Sequence, residues 1–166
     1  MMTDTNKTPD GEGLFHLLHR AEQRAKVLFA EEARGLDLTV RQLVILNAVS
    51  DHGAPMQTDI VRLTGIDRST VTELVGRMVK RGLLTRERNA RDARAYVVQV
   101  SDEGMQRLRA AAEASERAGR RFIETVPVDQ RAGFLTGLQS AALTENGHEL
   151  DNGGAANDDG SDREAA

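Results

Sequence analysis

The stretch IVRLTGIDRSTVTELVGRMVKRGLLTRERNARDARAYVVQVSDEG, residues 60–104, decides how this chain folds, because helical patterns and strand patterns meet in it. One helical pattern runs over residues 57–63 and a second over 67–80, and residues 64–66, Thr-Gly-Ile, join them. Two helices separated by so short a glycine-containing turn are typical of a helix-turn-helix.

Individual residues give this turn a physical basis. Gly65 suits the left-handed conformation that ends a helix, because it has no Cβ to clash with the backbone. Asp67 is predicted to cap the second helix by accepting a hydrogen bond from the backbone N–H of Ser69 or Thr70. Gly76 interrupts that helix at a cost of about 1 kcal/mol relative to alanine.

A hairpin is predicted after the helix-turn-helix. Residues 81–82 end the second helix, and residues 83–88 and 93–101 are predicted strands, the latter with an alternating pattern. Residues 89–92, Asn-Ala-Arg-Asp, are predicted to form the hairpin tip. A helix-turn-helix followed by such a hairpin is a winged helix.

Long helical patterns lie on both sides of the winged helix. An amphipathic helix is predicted from Leu14, and a centrally buried helix capped by Thr39 follows. Ser101 is predicted to cap a long helix that Pro127 breaks, and a last helix is predicted over 128–143. The long helix carries a heptad-like seam of largely small residues, namely Met105, Leu108, Ala112, Ser115, Gly119, Phe122 and Val126.

Composition excludes several classes of site. The 166 residues include no cysteine, which excludes disulfides, thiolate metal sites, cysteine nucleophiles and thiol redox switches. The first 13 residues lack the pattern of a signal peptide, and no apolar run reaches 18 residues. We therefore expect a cytoplasmic protein that does not contact a membrane.

The charges are distributed unevenly. The net charge is −4, yet residues 56–100 hold nine basic and five acidic residues. The Gly-, Asn- and Asp-rich tail 144–166 holds seven acidic residues and one basic residue. A basic central segment is the pattern expected of contact with nucleic acid. The tail is predicted to be disordered, and it either keeps the protein soluble or competes with DNA for the basic segment.

Residues 60–104 resemble the multiple-antibiotic-resistance-regulator (MarR) family. STVTELV at 69–75 is followed by a Gly-Leu-Leu-x-Arg exit at 82–86, an Asp-x-Arg wing motif at 92–94, and Val-Ser-x-x-Gly at 100–104. The resemblance covers roughly residues 12–143. Its departures are Met56 in place of a Thr or Ser cap, Val79 in place of Glu, and Gly76.

The resemblance and the element pattern together predict a mainly α fold. A winged helix-turn-helix DNA-binding domain with a two-stranded β wing is flanked by N- and C-terminal dimerisation helices. The expected organisation is a disordered arm at 1–13, a MarR-type domain at 14–143 with its winged helix at about 36–101 and its dimerisation helices at 14–34 and 102–143, and a disordered acidic tail at 144–166.

The resemblance implies a regulator that reads DNA, with a recognition helix in the major groove and a wing in the minor groove. Capping is the alternative role for Ser69, a solvated charge for Arg77, and an ordinary turn residue for Asp92. By the resemblance Arg94 is the inserted wing residue, which Asp92 would hold by a charge-assisted hydrogen bond. The candidate contacts are Arg68, Ser69, Thr70, Thr72, Glu73 and Arg77 on the recognition helix, and Arg86, Arg88, Arg91, Asp92 and Arg94 on the wing.

A homodimer is expected, because the apolar faces of the flanking helices exceed what one winged-helix core can cover. Such a dimer would bind a pseudo-palindromic site on double-stranded DNA, and repression is the expected outcome. The expected interface anchors are Phe122, Phe134, Leu135 and Leu138, whose alternative role is in the core of one chain.

The resemblance implies no cofactor but a small organic effector, such as a phenolic or aromatic acid or an acyl-CoA. His16, His19 and Arg20 are candidates to hold an anionic ligand, and the alternative is a polar helix surface. A metal site at His16 and His19, completed by Glu12 or His52, is a further hypothesis that we do not favour.

Two rival functions follow from the same residues. An enzyme is not expected, because the chain has four scattered histidines, no Gly-rich phosphate loop and no serine nucleophile motif. A winged-helix protein-interaction module without specific DNA binding is consistent with the net negative charge, whereas the basic recognition helix and wing argue against it.

Overall fold

A computed structural model describes residues 11–89 and 96–143 of the chain. The elements are α1 Gly11–Glu32, α2 Val40–His52, α3 Gln57–Thr64, α4 Arg68–Lys80, β1 Leu84–Arg88, β2 Tyr96–Val100, α5 Asp102–Ile123, a 3-10 turn Val128–Gln130 and α6 Arg131–Leu143. The predicted mainly helical fold with a two-stranded wing is confirmed. Helix α1 begins three residues before the predicted start at Leu14, so residues 11–13 belong to the helix rather than to the arm.

The turn between α3 and α4 has the predicted geometry. Gly65 is left-handed at φ 65°, and its N–H donates to the carbonyl of Val61 at 2.9 Å. The carboxylate of Asp67 accepts from the N–H of Thr70 at 2.9 Å. Met56 has no side chain that can cap α3, and instead its own N–H donates to the Asp59 carboxylate at 3.0 Å. The departure at Met56 is thus accommodated by an acid three residues later.

Helix α2 forms the centre of the core. Thr39 and Gln42 form a reciprocal capping box, in which each side chain accepts from the other's backbone N–H. Ile45, Leu46 and Val49 are fully buried against the neighbouring helices. The prediction of a capped and centrally buried helix is confirmed.

The wing is an antiparallel pair in which Leu84 lies opposite Val100 and Arg88 opposite Tyr96. The strand is anchored to the loop before α3, because the N–H of Val98 donates to the carbonyl of Pro55 at 2.9 Å. Val98 is fully buried, so one face of β2 belongs to the core. The wing base is therefore fixed to the helix-turn-helix.

The small residues of α5 that pack inward within the chain are not those at the centre of the predicted seam. Ala112, Ser115 and Gly119 are exposed, and the buried positions are Ala111, Ala114 and Ala118. Small residues occur at consecutive positions here, so the apolar pattern alone does not fix which face turns inward. The face is set by long-range contacts with α1, where the Glu32 carboxylate accepts from Arg117 and Arg121 at 2.8 Å each.

The start of α5 is fixed to the turn that follows α4. The N–H of Ser101 donates to the carbonyl of Leu83 at 3.1 Å, and its hydroxyl donates to the carbonyl of Gly82. A Cβ at Gly104 would lie 2.1 Å from the Leu83 carbonyl oxygen and 2.8 Å from a methyl of Val100. Only glycine permits this approach, which explains physically the Val-Ser-x-x-Gly motif.

The loop between α1 and α2 is held by two arginines. Arg81, which follows α4, donates to the carboxylate of Asp37 at 2.6 Å and to its carbonyl at 2.7 Å. Arg107 of α5 donates to the carbonyl of Leu36 at 3.0 Å. The loop is thus joined both to the recognition helix and to α5.

The chain divides into two compact units, residues 1–127 and 128–166. The described part of the second unit consists of the 3-10 turn and α6, none of whose residues is buried. No helix within 11–89 and 96–143 combines the length and the hydropathy needed to cross a membrane.

Candidate nucleic-acid interface

Helix α4 has one buried face and one exposed face. Val71, Leu74, Val75 and Met78 pack into the core at three- and four-residue steps. The opposite face presents five of the six predicted contacts as exposed side chains, and Thr70 is half-buried: Arg68, Ser69, Thr70, Thr72, Glu73 and Arg77. The structure therefore brings the predicted recognition residues together on one surface.

The side chain of Ser69 takes part in the helix cap. Its hydroxyl donates to the Asp67 carboxylate at 2.6 Å, and the N–H of Thr70 donates to the same oxygen. The hydrogen bond from Ser69, followed by those from Thr70, holds the pKa of Asp67 well below its usual range. Ser69 therefore supports the helix cap, which is the alternative role expected for it. The oxygen of its hydroxyl keeps lone pairs that can still accept a hydrogen bond from a ligand.

Arg68 and Thr72 differ in what they offer. The Thr72 hydroxyl donates to the carbonyl of Arg68 at 2.8 Å, which engages its hydrogen within the helix. Arg68 lies in the first turn of α4, and no acid in the described part of the chain is within ion-pair distance of it. Its guanidinium is thus available for an external acceptor.

Further along the helix, Arg77 forms an ion pair with Glu73 at 3.3 Å. Both side chains are more than half exposed, so the pair contributes little to stability and exchanges readily. Glu73 and Arg77 lie one helical turn apart on the exposed face of α4. This geometry agrees with a role of Arg77 in contacting phosphate rather than bases.

A cleft of about 430 Å³ joins the recognition helix to the wing base. Arg68 and Thr72 line one side, and Arg86 and Tyr96 line the other. The Arg86 guanidinium carbon lies 4.2 Å from the centroid of the Tyr96 ring, a cation–π contact that fixes the side chain. Arg86 therefore lies next to the recognition helix, whereas Arg88 is exposed at the end of β1.

Three predicted wing residues, Arg91, Asp92 and Arg94, lie outside the described residues. Their roles at the hairpin tip stay predictions. The described strands lead directly to this segment, since β1 ends at Arg88 and β2 begins at Tyr96.

The predicted dimer anchors fall into two groups. Phe122 is half-buried and packs against the core of its own chain, which is the alternative role expected for it. Phe134, Leu135 and Leu138 are exposed on α6.

Sequence reasoning named no anchor on α1, yet the described part of this helix exposes five large apolar side chains: Leu14, Phe15, Leu17, Leu18 and Val27. Phe15 is 73% exposed. The signal was present in the sequence, because apolar residues at 14, 15, 17 and 18 span more of the helix surface than one core-facing stripe requires.

The candidate effector residues His16, His19 and Arg20 are all exposed on α1. His52, a candidate metal ligand, is exposed at the end of α2, where its Nδ1 lies 3.0 Å from the carbonyl oxygen of Ala48. Among the residues that the structure describes, no three His, Asp or Glu side chains lie close enough to hold a metal ion.

Known proteins with similar sequences are DNA-binding regulators. Residues 36–95 match the family model described as MarR family. The HTH-type transcriptional repressor NicR of Pseudomonas putida is 27% identical over 124 residues, which are 75% of this chain and 78% of NicR.

Two solved structures are similar over most of their length. BpsR of Bordetella bronchiseptica, whose DNA binding is regulated by 6-hydroxynicotinic acid, superposes with a TM-score of 0.74 at 26% identity, covering 84% of this chain and 100% of BpsR. The transcriptional repressor CouR, bound to a 23-mer DNA duplex, gives a TM-score of 0.70 at 27% identity, covering 82% of this chain and 99% of CouR. Residues 36–95 therefore carry the match to the MarR family, and the winged helix and the motif-bearing segment 60–104 agree with a DNA-binding transcriptional regulator.

Proposed function

We propose that this protein is a homodimeric repressor that binds a pseudo-palindromic operator and is released from it by a small aromatic acid. The observation that carries the proposal is the exposed face of α4, on which Arg68 lies beside Arg86 of the wing base. NicR and CouR are repressors, and 6-hydroxynicotinic acid regulates DNA binding by BpsR.

Arg68 is the principal base reader in this proposal. It lies in the first turn of α4, the part of a recognition helix that reaches base edges, and its guanidinium can bond guanine O6 and N7 together. Thr72 presents its methyl group to a thymine, because its hydroxyl hydrogen is engaged by the carbonyl of Arg68.

Contacts to the DNA backbone surround this centre. Arg77 and Arg88 contact phosphates, and Arg86 is held by Tyr96 near the groove edge. Arg91 and Arg94 at the tip enter the minor groove, with Asp92 orienting Arg94. Near the start of the helix, further contacts to the DNA come from Ser69, Thr70 and Glu73.

A dimer doubles the contact area and places two recognition helices about one DNA turn apart. The exposed apolar residues of α1, with Phe15 foremost, supply one part of the dimer interface. Phe134, Leu135 and Leu138 of α6 supply another. Grouped exposed apolar side chains of this kind mark interaction surfaces, which is why we assign them to the dimer.

The test is binding of the purified protein to DNA from its own upstream intergenic region, titrated with salt in the presence of nonspecific competitor. Nanomolar-range binding that resists competitor and weakens steeply with salt is expected. Replacing Arg68 by alanine is expected to lower affinity, whereas replacing the exposed Arg109 of α5 leaves it unchanged. Binding no tighter than to competitor DNA, at this region and after genome-wide site selection, would instead favour the protein-interaction module.

A further inference from the structure

Gly76 lies in the third turn of the recognition helix, on the face that is turned away from the core. We infer that Gly76 marks the point at which this helix approaches its operator most closely, so that a side chain there would hold the helix out of the major groove. This inference rests on the proposed function, because it concerns how the DNA-bound helix is seated. It gives a role to a residue that weakens α4 relative to alanine.

The fold itself does not require a glycine at this position. Gly76 lies within a continuous helix, whereas Gly65 and Gly82 have left-handed φ values of 65° and 73°. Outside the local helix backbone, a Cβ built at Gly76 meets no atom within 4 Å among the described residues, whereas one at Gly104 would collide with the Leu83 carbonyl. Alanine would therefore fit at position 76 and would be the better helix former.

Exposed polar side chains surround Gly76 on the helix surface. Positions three and four apart in a helix are neighbours, so Thr72 and Glu73 lie one turn before Gly76 and Lys80 lies one turn after it. These three side chains are exposed, as is that of Arg77, the next residue. A helical side chain leans towards the N-terminus, so the missing one would cover the surface beside Thr72 and Glu73. The glycine thus leaves bare backbone in the middle of the surface that we assign to DNA.

The dimensions of a helix and of the major groove give this bare backbone its importance. The Cα atoms of an α-helix lie about 2.3 Å from its axis, whereas side chains bring its diameter to about 10–12 Å. The major groove is about 12 Å wide, so a helix with side chains on every side nearly fills it. A methyl group at position 76 would hold the helix back by roughly 1.5 Å, the length of one C–C bond. Hydrogen bonds of about 2.9 Å from Arg68 to base edges would then be stretched beyond their working range.

The chemistry of this surface favours DNA over a second protein chain as the partner. Helix α4 exposes three cationic side chains and one acidic side chain, namely Arg68, Arg77, Lys80 and Glu73. None of the large apolar side chains that the described residues expose lies on α4, whereas α1 and α6 expose several. The centres of protein–protein interfaces are apolar and depleted of charge. A cationic surface with bare backbone at its middle instead suits the phosphates and polar base edges of a DNA groove.

The experiment compares full-length Gly76→Ala with the wild type in two assays. Without DNA, urea unfolding at one fixed protein concentration is expected to show a higher midpoint for Gly76→Ala, because the new methyl group meets no neighbour. With the operator fragment found upstream or by genome-wide site selection, affinity is expected to fall about tenfold or more, while affinity for nonspecific DNA changes less than about threefold. A merely structural role of Gly76 cannot produce a more stable protein that binds its operator more weakly.

Gly119→Ala in α5 is the matched control, because a Cβ there also meets nothing within 4 Å in the described part of the chain. It should raise the urea midpoint and leave operator affinity unchanged. Unchanged operator affinity in Gly76→Ala would overturn the inference, and a lower urea midpoint would show that the fold requires this glycine. A changed molar mass in light scattering would assign Gly76 to a contact between two copies of the chain. If the wild type bound no operator at all, the proposed function would have failed, and the inference with it.

Discussion

Replacing Gly104 by alanine introduces a single methyl group at the place where α5 meets the end of the recognition helix. The new Cβ would lie 2.1 Å from the carbonyl oxygen of Leu83 and 2.8 Å from a methyl carbon of Val100. The first contact is with backbone, which cannot rotate away, and Ser101 holds the same carbonyl through its N–H. The first turn of α5 must therefore shift relative to the wing.

The expected net loss is about 1–3 kcal/mol of unfolding free energy. Overpacking of a tight site costs about 1–3 kcal/mol, and more where backbone must move. The gain from replacing glycine by alanine in a helix is at most about 1 kcal/mol and offsets only part of this.

Gly119→Ala is the matched control, because it makes the same change in the same helix. A Cβ at Gly119 meets nothing within 4 Å, so this variant is expected to gain about 0.5–1 kcal/mol. Urea unfolding followed by far-UV circular dichroism, at one fixed protein concentration, measures both variants. If Gly104→Ala proved as stable as the wild type, the proposed joint between α5 and the turn after α4 would be wrong.

Three further predictions concern the DNA-facing surface and the dimer. Arg68→Ala should weaken operator binding about ten- to a hundredfold with little effect on nonspecific binding, whereas an equal loss on both DNAs would reduce Arg68 to a phosphate contact. Asp67→Asn should remove a pH-dependent part of stability, because the depressed pKa of Asp67 stabilises the fold fully above about pH 4 and this contribution is lost as the pH falls further. The free energies of unfolding of the two proteins, measured by urea unfolding at a series of pH values, should therefore differ above about pH 4 and converge at lower pH. Phe15→Glu should shift the protein from dimer to monomer in light scattering after size exclusion, and an unchanged mass would remove α1 from the interface.

Local chemistry made much of the fold predictable from the sequence. The left-handed Gly65, the Asp67 cap and the Thr39 cap each depend on residues within four positions of one another, and all three are present. The wing follows from the alternation of apolar residues and from its position after the helix-turn-helix.

What sequence reasoning missed depends on contacts between distant segments. The face of α5 that turns towards α1 could not be read from the sequence, because Ala111 and Ala112 are chemically equal and only contact with α1 distinguishes them. The predicted contacts on α4 could be grouped from the sequence because they share one helix face.

The residues that follow the C-terminal end of α4 contact both the α1–α2 loop and the start of α5. Arg81 holds the α1–α2 loop at Asp37, and Leu83, two residues later, accepts from the first turn of α5. Arg68 lies at the other end of the same helix, roughly 18 Å away at 1.5 Å per residue. A tilt of about 5° about the Arg81 end would displace Arg68 by roughly 1.6 Å, enough to break a bidentate contact with a base. A change confined to the Arg81 end of α4 would therefore move Arg68, the residue that we propose as the principal base reader.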